Sequence, residues 1–232
     1  MITSDITKGR RTIMGRTIRG LVVGFGMTLV LGAPVAAGTS DSRYFERGHT
    51  AFASKEVCQA SPDSDVVTCR ALGIQVFSGR RGGTDPATRF TGYELNLHMS
   101  KRKSNEETGQ ILGQRFQDAH VVNSDALRVA FDGIRGASVE GTLRVTVTRC
   151  SRRGDCETSN RRIELDLDWT ARPGPPSESF SYYRQNDDGC EFTFTQTRRA
   201  RDARMVGLID GSMERAPGQL SWSDSQATSV CG

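Results

Sequence analysis

Three carboxylates recur at every second position of the stretch RRIELDLDWT: Glu164, Asp166 and Asp168 alternate with Ile163, Leu165 and Leu167. Acids spaced in this way leave one side of an extended strand together. Such a set can hold calcium, or divide the acid and nucleophile roles of glycoside hydrolysis. Ordinary sheet surface is the alternative. If the preceding strand sets Arg144, or Arg149 at its end, beside them, cross-strand ion pairs account for the acids without any site. Glu94, Asn96 and His98 repeat the pattern in YELNLHM with a group that exchanges protons near neutrality, and they too fit the solvated side of a half-buried strand.

CSRRGDC encloses Arg153, Gly154 and Asp155 between Cys150 and Cys156. An Arg-Gly-Asp tip on a closed loop is similar to the way disintegrins and fibronectin modules meet integrins, with the guanidinium on one subunit and the carboxylate completing a metal site on the other. This composition yields the tripeptide about 0.2 times by chance, and Gly-Asp is common turn chemistry. A basic cluster, TRRARDAR at 197–204, could meet an anionic polymer or form an exposed hairpin. Asp187, Asp188 and Gly189 read first as a turn. The histidines number three (His49, His98, His120), and neither G-x-S-x-G nor H-E-x-x-H occurs, which removes the common serine hydrolases and zinc peptidases. No cofactor is implied.

The segment ahead of these residues resembles an export signal. Lys8, Arg10, Arg11, Arg16 and Arg19 precede an uncharged apolar run from Leu21 to Leu31, too short to span a bilayer comfortably. Val35 and Ala37 supply the small residues of a cleavage site, so a signal peptide over 1–37 with cleavage after Ala37 is expected, leaving no membrane anchor. Arg10-Arg11 also resembles a twin-arginine signal, at a longer distance from the apolar run than that pattern prefers. The whole chain has a net charge of +4, but 1–37 holds 5 basic residues and 1 acidic one, so the remainder carries 26 of each sign. Net charge therefore gives no support for nucleic-acid binding, and TRRARDAR lacks the interleaved aromatics of a stacking platform.

All six cysteines (Cys58, Cys69, Cys150, Cys156, Cys190, Cys231) follow that segment, and none has metal-ligand spacing. An even count in an exported chain reads as disulfides. Loop closure favours 58–69, 150–156 and 190–231 among the fifteen connectivities that six cysteines allow.

The rest of the chain must position these groups, and its period is two. GTLRVTVTRC sets Leu143, Val145 and Val147 against Arg144, Thr146 and Thr148, and further alternating runs are separated by Ser61-Pro62-Asp63, Arg81-Gly82-Gly83, Arg172-Pro173-Gly174-Pro175-Pro176 and Asn186-Asp187-Asp188-Gly189. About nine or ten short strands predict an all-β fold, an antiparallel β-sandwich or barrel-like domain reinforced by disulfides. Residues 38–57 form an N-terminal extension or first strand, and 58–232 a single β-rich domain. Residues 101–118 are expected to be helical or a long polar connection.

Over 137–198, the V-x-V-x strand, the Cys-bounded turn, LDLDWTARPGP and DGCEFTFT resemble exported actinobacterial proteins without an assigned function. With 27 arginines and 4 lysines, the codon usage of a high-G+C bacterium fits. That resemblance implies no chemistry. The expected function is an exported, non-catalytic protein that binds an envelope polymer or a protein partner. A secreted hydrolase using the acidic face and an Arg-Gly-Asp adhesin are the alternatives.

Overall fold

The computed structural model describes residues 41–62, 64–187 and 189–231, so the expected signal segment lies outside it. The described residues form one unit. Alternating sequence folds into ten antiparallel strands: β1 Ser42–Ala60, β2 Val66–Gly83, β3 Phe90–Asn105, β4 Ile111–Val122, β5 Leu127–Asp132, β6 Gly136–Ser151, β7 Cys156–Ala171, β8 Ser177–Asp187, β9 Cys190–Ile209 and β10 Ser212–Cys231. Among the described residues the one helical piece is a 3₁₀ turn, Pro86–Thr88, where the Asp85 carboxylate accepts from the Ala87 N–H at 2.8 Å.

Followed through its hydrogen-bonded neighbours, the path β1–β2–β3–β4–β6–β7–β9–β10 returns to β1, so eight strands close into a ring. β5 shares one edge of β6 with β4, and β8 shares one edge of β9 with β7. A barrel of this size has just enough interior for its own side chains. Here Ile74, Leu95, Val145, Leu167, Met205 and Leu220 fill it, each under 2 % exposed. Burial of such side chains is worth about 1.5–3 kcal/mol apiece. Trp169, at 2 % exposure, donates its indole N–H to the Phe52 carbonyl at 3.2 Å, which satisfies its polar atom inside the apolar core. Outward positions carry charge, as in Glu164, Asp166 and Asp168 on β7. This is the reverse of a barrel immersed in lipid, where the outer band is apolar.

Strand directions alternate, so the hairpins at 61–65, 106–110, 152–155 and 210–211 all turn at one end of the ring. The shortest, Asp210-Gly211, has both residues at positive φ (53° and 74°), the backbone of a two-residue hairpin turn. The disulfides Cys58–Cys69 and Cys150–Cys156 join directly opposed residues near two of these tips, and Cys190–Cys231 does the same at the other end. They are the near-neighbour pairings that loop closure favours, and they mark an oxidising environment.

Several expectations are corrected. Residues 101–118 contain no helix: they finish β3, turn, and open β4. The stretch looks unstructured because both sides of the sheet are polar there. Its turn is nonetheless well specified, since the Asn105 side chain accepts from the Thr108 N–H and hydroxyl at 2.8 and 2.9 Å. Arg81-Gly82-Gly83 is no turn but the end of β2, paired with Tyr44, Phe45 and Glu46. TRRARDAR lies inside β9 and not between strands, so its side chains alternate between the two faces. The β6–β7 connection is only residues 152–155, because both strands run up to the Cys150–Cys156 bridge.

Candidate anion-binding face

The groups of residues singled out in the sequence behave differently in the fold. Glu94, Asn96 and His98 emerge on the outer side of β3. Glu94 receives a hydrogen bond from Arg81 at 2.5 Å, and Arg81 stacks 4.6 Å from the centre of the Phe90 ring. Beneath it the Phe77 ring lies across Gly48 and Gly79, where a Cβ on Gly48 would meet the ring at 2.6 Å. Partial burial works to raise the Glu94 carboxyl. Hydrogen bonds from Arg81 and Asn96 and the charges of Arg81 and His120 outweigh it and hold the group below the ordinary carboxylate range. A carboxylate committed in this way anchors Arg81 over two aromatic rings and is poorly placed to accept a substrate proton.

One row further along, His98 Nδ1 meets Asp118 Oδ1 at 2.6 Å, and His120 Nδ1 meets Asn96 Oδ1 at 2.8 Å. Among the described residues no hydroxyl or thiol hydrogen-bonds either imidazole, so no nucleophile–base pair is assembled. The adjoining groove, lined by residues such as Glu56, Ala71, Ser100 and Phe116, encloses about 220 Å³, below the usual 300–1,000 Å³ of ligand pockets. Glu56 also lies near Cys58 and Cys69, but these are joined to each other and offer no thiolate for a metal.

The acidic face is real, but among the described residues no arginine pairs with it. Glu164, Asp166 and Asp168 are exposed on β7 and sit opposite Thr142, Glu140 and Ser138, while Arg144 lies opposite Arg162. Asp166 thus confronts a like charge, Glu140. The backbone carbonyls that would complete a calcium shell are spent in the sheet ladder. Arg153, Gly154 and Asp155 form an exposed tip, braced by Ser151 N–H to Asp155 O at 2.8 Å and Gly154 N–H to Ser151 O at 3.1 Å. Arg152 adds a hydrogen bond to Gln110 at 2.8 Å, which ties this tip to the β3–β4 turn.

A different cluster is built by strand register alone. Arg70 on β2 lies opposite Lys101 on β3, Lys101 opposite Arg115 on β4, and Arg115 opposite Arg149 on β6. Four cations therefore stand in one row across four adjacent strands, spanning about 14 Å at the usual strand spacing. They lie on the side that faces the core lower down, since Leu72, Met99, Gln117 and Val147 precede them by one alternation. Above the core this inner side is open. The β9–β10 tip reaches only the level of Glu164, and β7 continues to Cys156, about 27 Å further. Lys103 extends the same face, and Glu157 ends the row opposite Arg149.

Glu157, opposite Arg149, offsets part of the row's charge without closing an ion pair. Among the described residues, Arg70, Lys101, Arg115 and Arg149 have no carboxylate within 4.0 Å, whereas Arg161, just below, is paired with Asp210 at 2.8 Å and donates to Gln117 at 2.9 Å. Burial and the nearby charges of Arg161 and Arg149 push Arg115 below its ordinary value, against a smaller opposing effect of Asp210. The Nε of Arg115 is buried without a hydrogen-bond partner. By contrast TRRARDAR is dispersed, with Arg198 bonded to Gln219 and Arg199 to Glu178. The sequence signal for the true cluster is a charged residue at a core-parity position, repeated in four separate strands. Compared with known proteins, the chain matches no protein-family model and no curated protein.

Proposed function

We propose that this is an exported, non-catalytic β-barrel protein that binds an extended polyanionic chain of the cell envelope across β2, β3, β4 and β6, with residues 1–37 as its cleaved export signal. The observation that carries this reading is the unpaired row Arg70, Lys101, Arg115 and Arg149. Like charges held side by side destabilise a sheet. A polymer with regularly spaced phosphates or carboxylates removes that repulsion. Disulfides agree with a location outside the reducing cytoplasm. The row carries no aromatic ring, so a nucleic acid would find no stacking surface on it.

Titration calorimetry with long-chain polyphosphate and with polygalacturonate separates the phosphate and uronate forms of the ligand, with neutral dextran as control. At least one polyanion is expected to bind, with affinity falling as salt rises at a logarithmic slope near −3, about 0.7 for each of four neutralised charges. No binding at low salt by either polyanion would refute the reading.

The braced and exposed tip at Arg153–Asp155 favours a second reading, an adhesin for integrin-bearing cells. Equal cell adhesion by wild type and Asp155→Glu would remove it.

A further inference from the structure

Among the described residues β8 pairs only with β9, so its second edge presents a row of backbone donors and acceptors without partners. Natural edge strands are usually blunted by charged side chains, above all lysine, by proline or by a bulge. The charged residues Glu178 and Arg184 of β8 are of opposite sign and so can be paired by a partner. Ser177–Asp187 contains neither lysine nor proline, and its register with β9 is continuous. The strand also exposes three aromatic side chains, Phe180 at 69 %, Tyr182 at 57 % and Tyr183 at 50 %. An aromatic edge of this length without lysine, proline or bulge can receive another strand.

The sequence of β8 specifies which strand. Glu178, Phe180, Tyr182 and Arg184 share one face, and Ser179, Ser181 and Tyr183 the other, as their partners on β9 show. A two-fold axis normal to a sheet leaves every side chain on its own face, so in an antiparallel pair of identical strands it must pass through a residue. With the axis on Phe180, Glu178 meets Tyr182; on Tyr182, Glu178 meets Asn186 and Phe180 meets Arg184. On Ser181, Glu178 lies opposite Arg184 of the second copy and Phe180 opposite Tyr182. Only this register pairs opposite charges, and it does so twice by symmetry. Glu178 and Arg184 already contact Arg199 and Glu191 within the chain, so the signs alternate across the joint.

We propose that two copies of this protein associate through antiparallel β8–β8 pairing about a two-fold axis at Ser181, which joins their sheets into one. The joint lies on β8, away from the basic row on β2, β3, β4 and β6, so it stands or falls independently of polyanion binding.

Sedimentation equilibrium of the wild type, up to about 1 mM chain so that even a millimolar contact is populated, gives the reference dimer. Glu178→Arg sets arginine opposite arginine, Arg184→Glu sets glutamate opposite glutamate, and each variant alone is expected to weaken dimerisation at least tenfold. Mixed in equal amounts, the two form a heterodimer in which both pairs are again complementary, restoring near-wild-type association. Circular dichroism confirms that each variant keeps its strands, because both substituted side chains are exposed. A wild type that stays monomeric throughout, reversals that associate like wild type, or a mixture that remains monomeric would each overturn the proposal.

Discussion

Arg115 lies directly opposite Arg149 across β4 and β6, and neither has a carboxylate within ion-pairing distance among the described residues. A folding domain gains nothing from this contact. Directly opposed like charges cost a few tenths of a kcal/mol or more, and the unpartnered Nε of Arg115 adds a desolvation cost. Arg115→Gln is therefore expected to raise thermal stability slightly, by about 0.5 kcal/mol, while weakening polyanion binding about fivefold. Melting and binding curves on the same variant check both halves. A variant that loses stability while keeping its affinity would turn the arginine into a structural residue.

Phe77 owes its buried position outside the barrel to glycine on two neighbouring strands. A methyl group at Gly48 would stand 2.6 Å from the Phe77 ring and 2.6 Å from the Ser78 carbonyl, neither of which can retreat easily. Gly48→Ala should cost about 2 kcal/mol or more by overpacking. The same substitution at Gly109, where a Cβ meets nothing but φ is 67°, should cost about 1 kcal/mol from backbone strain alone. Urea denaturation of the two variants supplies the comparison.

Acid should loosen the same outer face. The Glu94 carboxyl is held below its ordinary value of 4.5, so the stability it contributes is fully present above that value. It is lost as pH falls through the lower folded-state pKa. Glu94→Gln is expected to cost up to about 1 kcal/mol at neutral pH, and the gap from wild type should close under more acidic conditions. Melting temperatures of both proteins from neutrality down to about pH 3 test this, and a gap that widens in acid would contradict the assigned direction.

The disulfides should rank by loop length. Cys190–Cys231 closes a separation of 41 residues and Cys150–Cys156 one of 6. Loop-entropy arguments assign them about 4 and about 2 kcal/mol. Serine replacement of each pair, followed by denaturant unfolding, should therefore hurt more at the chain end than at the β6–β7 tip.

Strand alternation and local cysteine spacing are properties of short stretches, which is why the all-β class and the disulfide partners are legible in the sequence. Register is not local in that sense. The acids of β7 miss Arg144 because the tight β6–β7 connection sets Arg144 opposite Arg162 instead. The basic row is harder still, since Arg70, Lys101, Arg115 and Arg149 are scattered along the chain and meet only after four strands are aligned. TRRARDAR attracts attention by adjacency, yet alternation sends its arginines to opposite faces. A readable clue did exist. Leu72 gives way to Arg70, Met99 to Lys101 and Val147 to Arg149 at inward parity, which signals an inner face continuing beyond the core.

Whether one row of cations holds the ligand is tested most directly by comparing two reversals of equal net charge. Lys101→Glu with Arg149→Glu alters the row, whereas Arg128→Glu with Arg204→Glu alters cations elsewhere on the sheet. Calorimetric titration of both double variants with the polyanion that binds the wild type should show at least a hundredfold loss for the first pair and less than about fivefold for the second. Equal losses in the two variants would mean that binding follows overall charge, and the row would not be the site.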